Sequence, residues 1–233
     1  MTGPGEHAVV LQAASILLRY PDSEVQAALP TIERALQGLT PGLPKQKLTD
    51  LARHLRDTPA GELEQHYVEV LDRKRRCCLY LTWWSDGETR RRGLSLARLK
   101  GLYRSHGVEL LPGELPDYLP VVLEFGATVD VALGLELLQE HRAGIELLRL
   151  ALLETGSPYA AAVESICTLL PGVSPHDEAA ARALARNGPP GEMVGLDGYG
   201  QALGPTSLQP TGPGPSSRTD GAFIPLESLG VRR

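Results

Sequence analysis

The sequence predicts an all-α fold: a single compact multi-helix domain over residues 1–187, followed by a disordered Gly/Pro-rich C-terminal tail over 188–233. Three observations carry this. The 233-residue chain is 42% hydrophobic but only 5% aromatic, so aliphatic side chains must fill one sizeable core. Its bias toward Leu and Ala over Ile, Phe and Thr favours helix formers over strand formers. From Gly188 onward, Gly and Pro make up roughly a third of the residues, a composition that does not build a core.

Val10, Ala13, Ala14, Leu17 and Leu18 follow helical spacing, which predicts an amphipathic helix over 6–20 that stops before Pro21. Asp22 or Ser23 can cap a second helix with Val25, Leu29, Ile32 and Leu36 on one side, and Pro30 should kink or split it. After the Gly/Pro-rich connection at 38–44, Leu48, Leu51, Ala52 and Leu55 give a short third helix. Thr58, as an N-cap ahead of Pro59, opens a fourth helix that carries Leu63, Tyr67, Val70 and Leu71.

Residues 77–84 are apolar but too short for periodicity to decide their state, and their surroundings favour a helical or irregular path. Asp86 to Thr89 supply turn and capping chemistry for a helix up to His106, stopped by Gly107, with Leu96, Leu99, Leu102 and Tyr103 facing inward. Asp117 can cap a helix containing Tyr118, Leu119, Val122 and Leu123, with Pro120 tolerated in its first turn. Leu138, His141, Ile145, Leu148 and Leu152 predict one long helix over 131–154, ended by Gly156. Ser157-Pro158 opens another, with Tyr159, Val163, Ile166 and Leu170 on one face. Ser174, with Asp177 three residues on, resembles a capping box for a last helix up to Asn187. In the tail, the apolar island Phe223 to Leu226 is expected to stay solvated.

A net charge of −5 and a pI near 5.7 argue against a protein devoted to neutralising phosphates. The first residues lack a basic region followed by an apolar run, and the apolar-rich region 118–138 is broken by Glu124, Asp130 and Glu136. The expected location is the cytoplasm, without membrane insertion. Cys77, Cys78 and Cys167 fit a reducing compartment, and their spacing suggests neither a disulfide framework nor zinc.

No catalytic or metal constellation is expected. There is no phosphate-cradling glycine loop and no His-Glu-x-x-His, and the six histidines are scattered singly. His141, on an apolar stripe, is expected to be a core or boundary histidine. The remaining candidate is the segment Leu79-Tyr-Leu-Thr-Trp-Trp-Ser-Asp-Gly-Glu-Thr-Arg-Arg-Arg92, which holds both tryptophans. With the basic run Arg73 to Arg76 it could form a stacking platform for nucleic acid. Asp72, Asp86 and Glu88 interrupt that basic field, and the alternative is that the arginines solvate a helix face while the tryptophans close the core.

The ordered motifs Tyr67-Val-Glu-Val-Leu-Asp72, Leu79 to Trp84, Asp86-Gly-Glu-Thr-Arg-Arg-Arg-Gly93, Gly113-Glu-Leu-Pro-Asp-Tyr-Leu-Pro120 and Val122-Leu-Glu-Phe125 resemble the core signature of the NarJ-type nitrate reductase assembly chaperones. This family is also called the delta subunit of respiratory nitrate reductase and belongs to the redox-enzyme maturation proteins. Leu17-Leu-Arg-Tyr-Pro21 is similar to the family's first helix, and the resemblance covers about residues 10–186. Leu71 stands where the family commonly has an aromatic residue, and Cys77 and Cys78 where it has histidine and a small residue.

The resemblance implies a helical cytosolic chaperone with no cofactor, no metal site and no chemistry of its own. Its implied partner is the catalytic (alpha) subunit of nitrate reductase, bound through its N-terminal leader-like segment while molybdenum cofactor is inserted. Cofactor-delivery proteins are further candidate partners, and nucleic acid is not one. On this basis Tyr67, Leu79, Tyr80, Trp83 and Trp84 would supply apolar contact area, and Asp72, Asp86, Glu114, Asp117 and Glu124 would attract basic leader residues. Tyr118 and Leu119 would act as contact or hinge, and Arg90, Arg91 and Arg92 would engage an acidic partner surface. The alternatives are a chaperone for a dimethyl sulfoxide or trimethylamine N-oxide reductase, and a nucleic-acid-associated helical protein.

Overall fold

A computed structural model describes residues 3–87 and 89–187 of the chain. The expected tail and its apolar island lie outside them. The described residues form eleven α-helices, with no strand among them. Helix α1 (Pro4–Leu17) lies at the centre, packed along α7 (Leu119–Thr128) and touching α2 (Ser23–Gln37), α3 (Leu43–Asp57) and α10 (Ala160–Cys167). Its second half is therefore buried all round rather than on one stripe: Leu11, Ser15 and Ile16 are as enclosed as Val10, Ala14 and Leu17. The buried Ser15 hydroxyl satisfies itself on the Pro120 carbonyl at 2.8 Å.

Asp22 caps α2 as expected, accepting from the Glu24 and Val25 amides at 2.9 and 3.0 Å. The helix runs unbroken through Pro30, which sits on the exposed side. Helix α4 (Ala60–Tyr67) has Pro59 rather than Thr58 at its N-cap, and the Thr58 hydroxyl instead pairs with His54 one turn back. A single π-turn, Val68–Asp72, continues α4. A short 3₁₀ turn, Arg75–Cys77, and an extended step to Tyr80 then lead into α5 (Leu81–Asp86) and α6 (Arg90–Ser105).

The long helix expected over 131–154 is two: α8 (Val131–Glu140) and α9 (Arg142–Glu154), broken at His141. Two close approaches explain the packing around them. A Cβ on Gly134 would lie 2.3 Å from the Gly126 Cα, so α7 and α8 touch backbone to backbone. A Cβ on Gly144 would lie 2.6 Å from the Trp84 Cβ, so α5 sits directly on α9. His141 itself is half-buried, and burial pushes its imidazole below the usual histidine range.

Helix α11 (Glu178–Asn187) packs on α9 and is capped by Asp177, whose carboxylate accepts from the Ala180 amide at 2.8 Å. Ser174, expected as that cap, donates instead to Glu146 at 2.7 Å. Among the described residues no helix is long and apolar enough to cross a membrane, and no group of three His, Cys, Asp or Glu side chains could hold a metal ion. All three cysteines are free thiols.

Candidate functional site

At the end of α4 Tyr67 points into the body, and at the end of the π-turn that follows Asp72 points out. An extra residue in one turn re-aims the side chains that follow it. The Tyr67 hydroxyl donates to the Leu18 carbonyl at 3.0 Å and lies 3.1 Å from the Tyr118 hydroxyl. Tyr118 is set opposite Tyr80 by an isolated antiparallel bridge, in which the Leu81 amide donates to the Asp117 carbonyl (2.9 Å) and the Leu119 amide to the Leu79 carbonyl (2.8 Å). Four rings thereby form a row: Tyr20 edge-on to Tyr67 with centroids 5.4 Å apart, Tyr67 joined to Tyr118 through their hydroxyls, and Tyr118 against Tyr80 at 5.4 Å. Tyr20 is 39% exposed, Tyr80 and Tyr118 are half-buried, and Tyr159 backs the row edge-on to Tyr67.

This row is bordered by carboxylates. Burial raises every one of the four phenols above the ordinary range, and the Asp72 charge adds to the effect on each. Glu64 and Asp22 act on Tyr20 in the same direction. Asp72 is exposed, has no hydrogen-bond or ion-pair partner among the described residues, and is itself pushed up by loss of water. Glu124 is pushed up by burial despite its 3.1 Å pair with Arg19, and the charge of Glu114 adds to the shift. The face thus offers aromatic area, the carboxylates of Asp72, Glu64 and Glu114 without a partner among the described residues, and the half-buried Glu124 held by a single arginine. Such a surface suits a cationic, amphipathic segment rather than an anion.

A second cluster lies beneath. Asp117 is fully buried and does not cap α7, whose N-cap is Tyr118. Its carboxylate instead accepts from the Thr82 amide (3.3 Å) and hydroxyl and from Arg92 (3.4 Å), closing the start of α5. Trp84 turns toward α9, its indole N–H donating to the Cys78 carbonyl at 3.2 Å, whereas Trp83 has the Arg75 guanidinium 5.8 Å from its ring centroid. The two tryptophans do not share one surface role.

Of the expected partner-binding residues, the structure brings together Tyr67, Asp72, Tyr80 and Tyr118, with Glu114 and Glu124 within electrostatic reach of one another. Tyr67, Leu79, Leu119 and Asp117 are buried, so their part is structural: Tyr67 ties the row to the end of α1, Leu79 and Leu119 close the core, and Asp117 holds α5. Asp86 is occupied by the Ser95 hydroxyl at 2.7 Å, Arg92 by Asp117, and Arg90 and Arg91 stand apart on α6. Tyr20 and Arg19 were not among the expected site residues. Their signal was a bulky polar aromatic left just outside a buried helix end by Pro21.

Residues 20–164 match the family described as nitrate reductase delta subunit. The chain belongs to this family. The matched span includes the whole tyrosine row, Asp72 and Glu124, and stops short of α11. Among relatives of the chain, the nitrate reductase-like protein NarX of Mycobacterium tuberculosis (strain H37Rv) is 40% identical over 159 residues, 68% of the chain but 24% of NarX. The chain thus spans about a quarter of that relative's length. The Escherichia coli (strain K12) protein NarJ, a nitrate reductase molybdenum cofactor assembly chaperone, is 32% identical over 155 residues, 65% of each chain. A crystal structure from Archaeoglobus fulgidus, of a protein named for redox enzyme maturation, shares the fold, with a TM-score of 0.53 at 21% identity over 70% of this chain and 92% of that one.

Proposed function

We propose that this protein is an assembly chaperone for a respiratory nitrate reductase, which holds the basic, amphipathic N-terminal segment of the apo catalytic subunit while molybdenum cofactor is inserted. The row Tyr20–Tyr67–Tyr118–Tyr80 beside the unpaired Asp72 carries this reading. The relative named as an assembly chaperone for the same enzyme supports it. The protein contributes no bond-making step. It supplies an aromatic surface for the apolar face of the segment and carboxylates for its lysines and arginines. Rim charges of this kind give speed and selectivity without locking the partner on, as release after cofactor insertion requires.

Titration of the protein with the N-terminal peptide of its cognate nitrate reductase catalytic subunit is expected to give saturable, micromolar binding. Asp72→Asn, at an exposed residue, is expected to weaken it about threefold to tenfold and leave the melting temperature unchanged. No binding of the peptide at tens of micromolar would exclude the reading.

The same titration has a predicted pH dependence. Asp72 and Glu124 titrate above their ordinary values of 3.8 and 4.5. A cationic peptide binds the ionised carboxylates, so binding releases protons and tightens as pH rises through the raised values. Affinity is therefore expected to fall as pH is lowered through those raised values, above the range in which carboxylates of ordinary value protonate. Asp72→Asn should flatten that slope, and a wild-type affinity that stays constant over this range would contradict the assignment.

A further inference from the structure

We propose that the outward face of α6 is a second docking surface, which takes an acidic amphipathic helix of a protein partner. In a chain of net charge −5, this one helix holds six of the 23 Lys and Arg residues and none of the 28 acids. Two of the six are used by the fold: Arg92 reaches Asp117, and Arg98 pairs with Glu140 at 2.8 Å. Arg90, Arg91, Lys100 and Arg104 are exposed and make no ion pair among the described residues.

Apart from Arg104, which suits the dipole in the last turn, these charges work against the helix by themselves. Arg90, Arg91 and Arg92 crowd its first turn, where the dipole is positive and cations are unfavourable. Lys100 and Arg104 repel each other at i, i+4. Thr89, at the N-cap, makes no side-chain capping bond. A partner that brings negative charge would relieve all three conditions.

The face suits a helical partner. Arg90, Leu94, Ala97, Gly101 and Arg104 recur at intervals of four, three, four and three residues, the seam of two packed helices. Leu94 is 74% exposed in the middle of this seam, on a helix whose inward side is already served by Leu99 and Tyr103. The space around Gly93 and Gly101 is open, so a second backbone can approach. At the C-terminal end the face runs into a cleft of about 110 Å³ lined by Lys100, Arg104, Val108, Glu109 and Leu110. The seam carries no exposed aromatic ring, and a phosphate backbone would leave Leu94 uncovered, so an acidic helix fits better than nucleic acid. This surface is separate from the tyrosine row.

The test uses the full chain and a synthetic helical peptide of about three heptads, with a Leu/Ala seam at 3-4 spacing flanked by glutamates. Binding with a micromolar Kd is expected, at least tenfold tighter than that of the same composition with the seam scrambled. The Arg90→Glu/Arg104→Glu pair should weaken it at least tenfold. Gly101→Trp, which fills open space, should block it without changing any charge. Asp72→Asn should leave it unaffected, which keeps this result distinct from binding at the tyrosine row. Equal binding of the scrambled peptide, indifference to both α6 variants, or tighter binding of a single-stranded oligonucleotide would overturn the proposal. So would a dimer in sedimentation equilibrium that dissociates on Leu94→Glu, since the occupant would then be a second copy of this chain.

Discussion

Glu146→Ala is expected to cost about 3–5 kcal/mol of folding stability, the range for breaking a buried ion pair from one side. Glu146 is fully buried in α9, between Arg142 at 3.4 Å and Arg149 at 2.7 Å, with the Ser174 hydroxyl on the same carboxylate. Both arginines reach onward, Arg142 to the Gly172 carbonyl at 3.2 Å and Arg149 to the Pro175 carbonyl. One carboxylate therefore orients the two guanidinium groups that hold the strap leading into α11. Its removal leaves a 5% exposed Arg142 side chain without a counter-charge, and its Nε already has no partner. Thermal melting should show the loss, and hydrogen exchange should rise first over 172–183. If the variant unfolds outright, Ser174→Ala separates the two effects: it should loosen 172–183 while nearly preserving the melting temperature. A Glu146→Ala protein as stable as wild type would show that the cluster is not the latch.

Gly134→Ala is the second large effect, and its sign is diagnostic. In an ordinary helix, alanine in place of glycine stabilises by about 0.5–1 kcal/mol. Here the new Cβ would meet the Gly126 backbone at 2.3 Å, and backbone cannot rotate away as a side chain can. Helices α7 and α8 must separate, which also disturbs Leu11 of α1, so a loss of about 3 kcal/mol is expected. For a chain of this size that lowers the melting temperature by roughly 6–12 °C. Gly126→Ala, whose Cβ would stand 3.1 Å from the Gly134 Cα and 3.2 Å from the Leu11 side chain, should cost less. A stabilised Gly134→Ala protein would refute the close contact.

Local chemistry made much of the fold legible. Asp22 caps α2 because its carboxylate needs only amides two and three residues ahead, and Gly107 and Gly156 end their helices with φ of 78° and 65°, which glycine adopts freely. Where a polar group found a distant partner, local rules failed. Asp117 looks like the cap of α7 but serves Thr82, 35 residues earlier. Ser174 looks like a cap but serves Glu146, and the apolar stripe through His141 conceals a break because α8 and α9 both present leucines inward.

The site was legible in part for the same reason. Tyr67, Tyr80, Tyr118 and Asp72 stood in recognisable motifs. Tyr20 joins them only through the fold, by way of the Tyr67 hydroxyl bond to the end of α1. Conversely, Leu79, Leu119 and Asp117 have the residue types of a groove wall, and only burial shows that they support it from behind.

The central claim is that a cationic amphipathic segment lies on the tyrosine row beside Asp72. Hydrogen exchange on the full chain, with and without a saturating concentration of the catalytic subunit's N-terminal peptide, tests it most directly. Protection is predicted over 64–73, at 18–20 and over 118–124, with α6 unchanged. Protection confined to α6, or none at these segments under saturating peptide, would contradict the account.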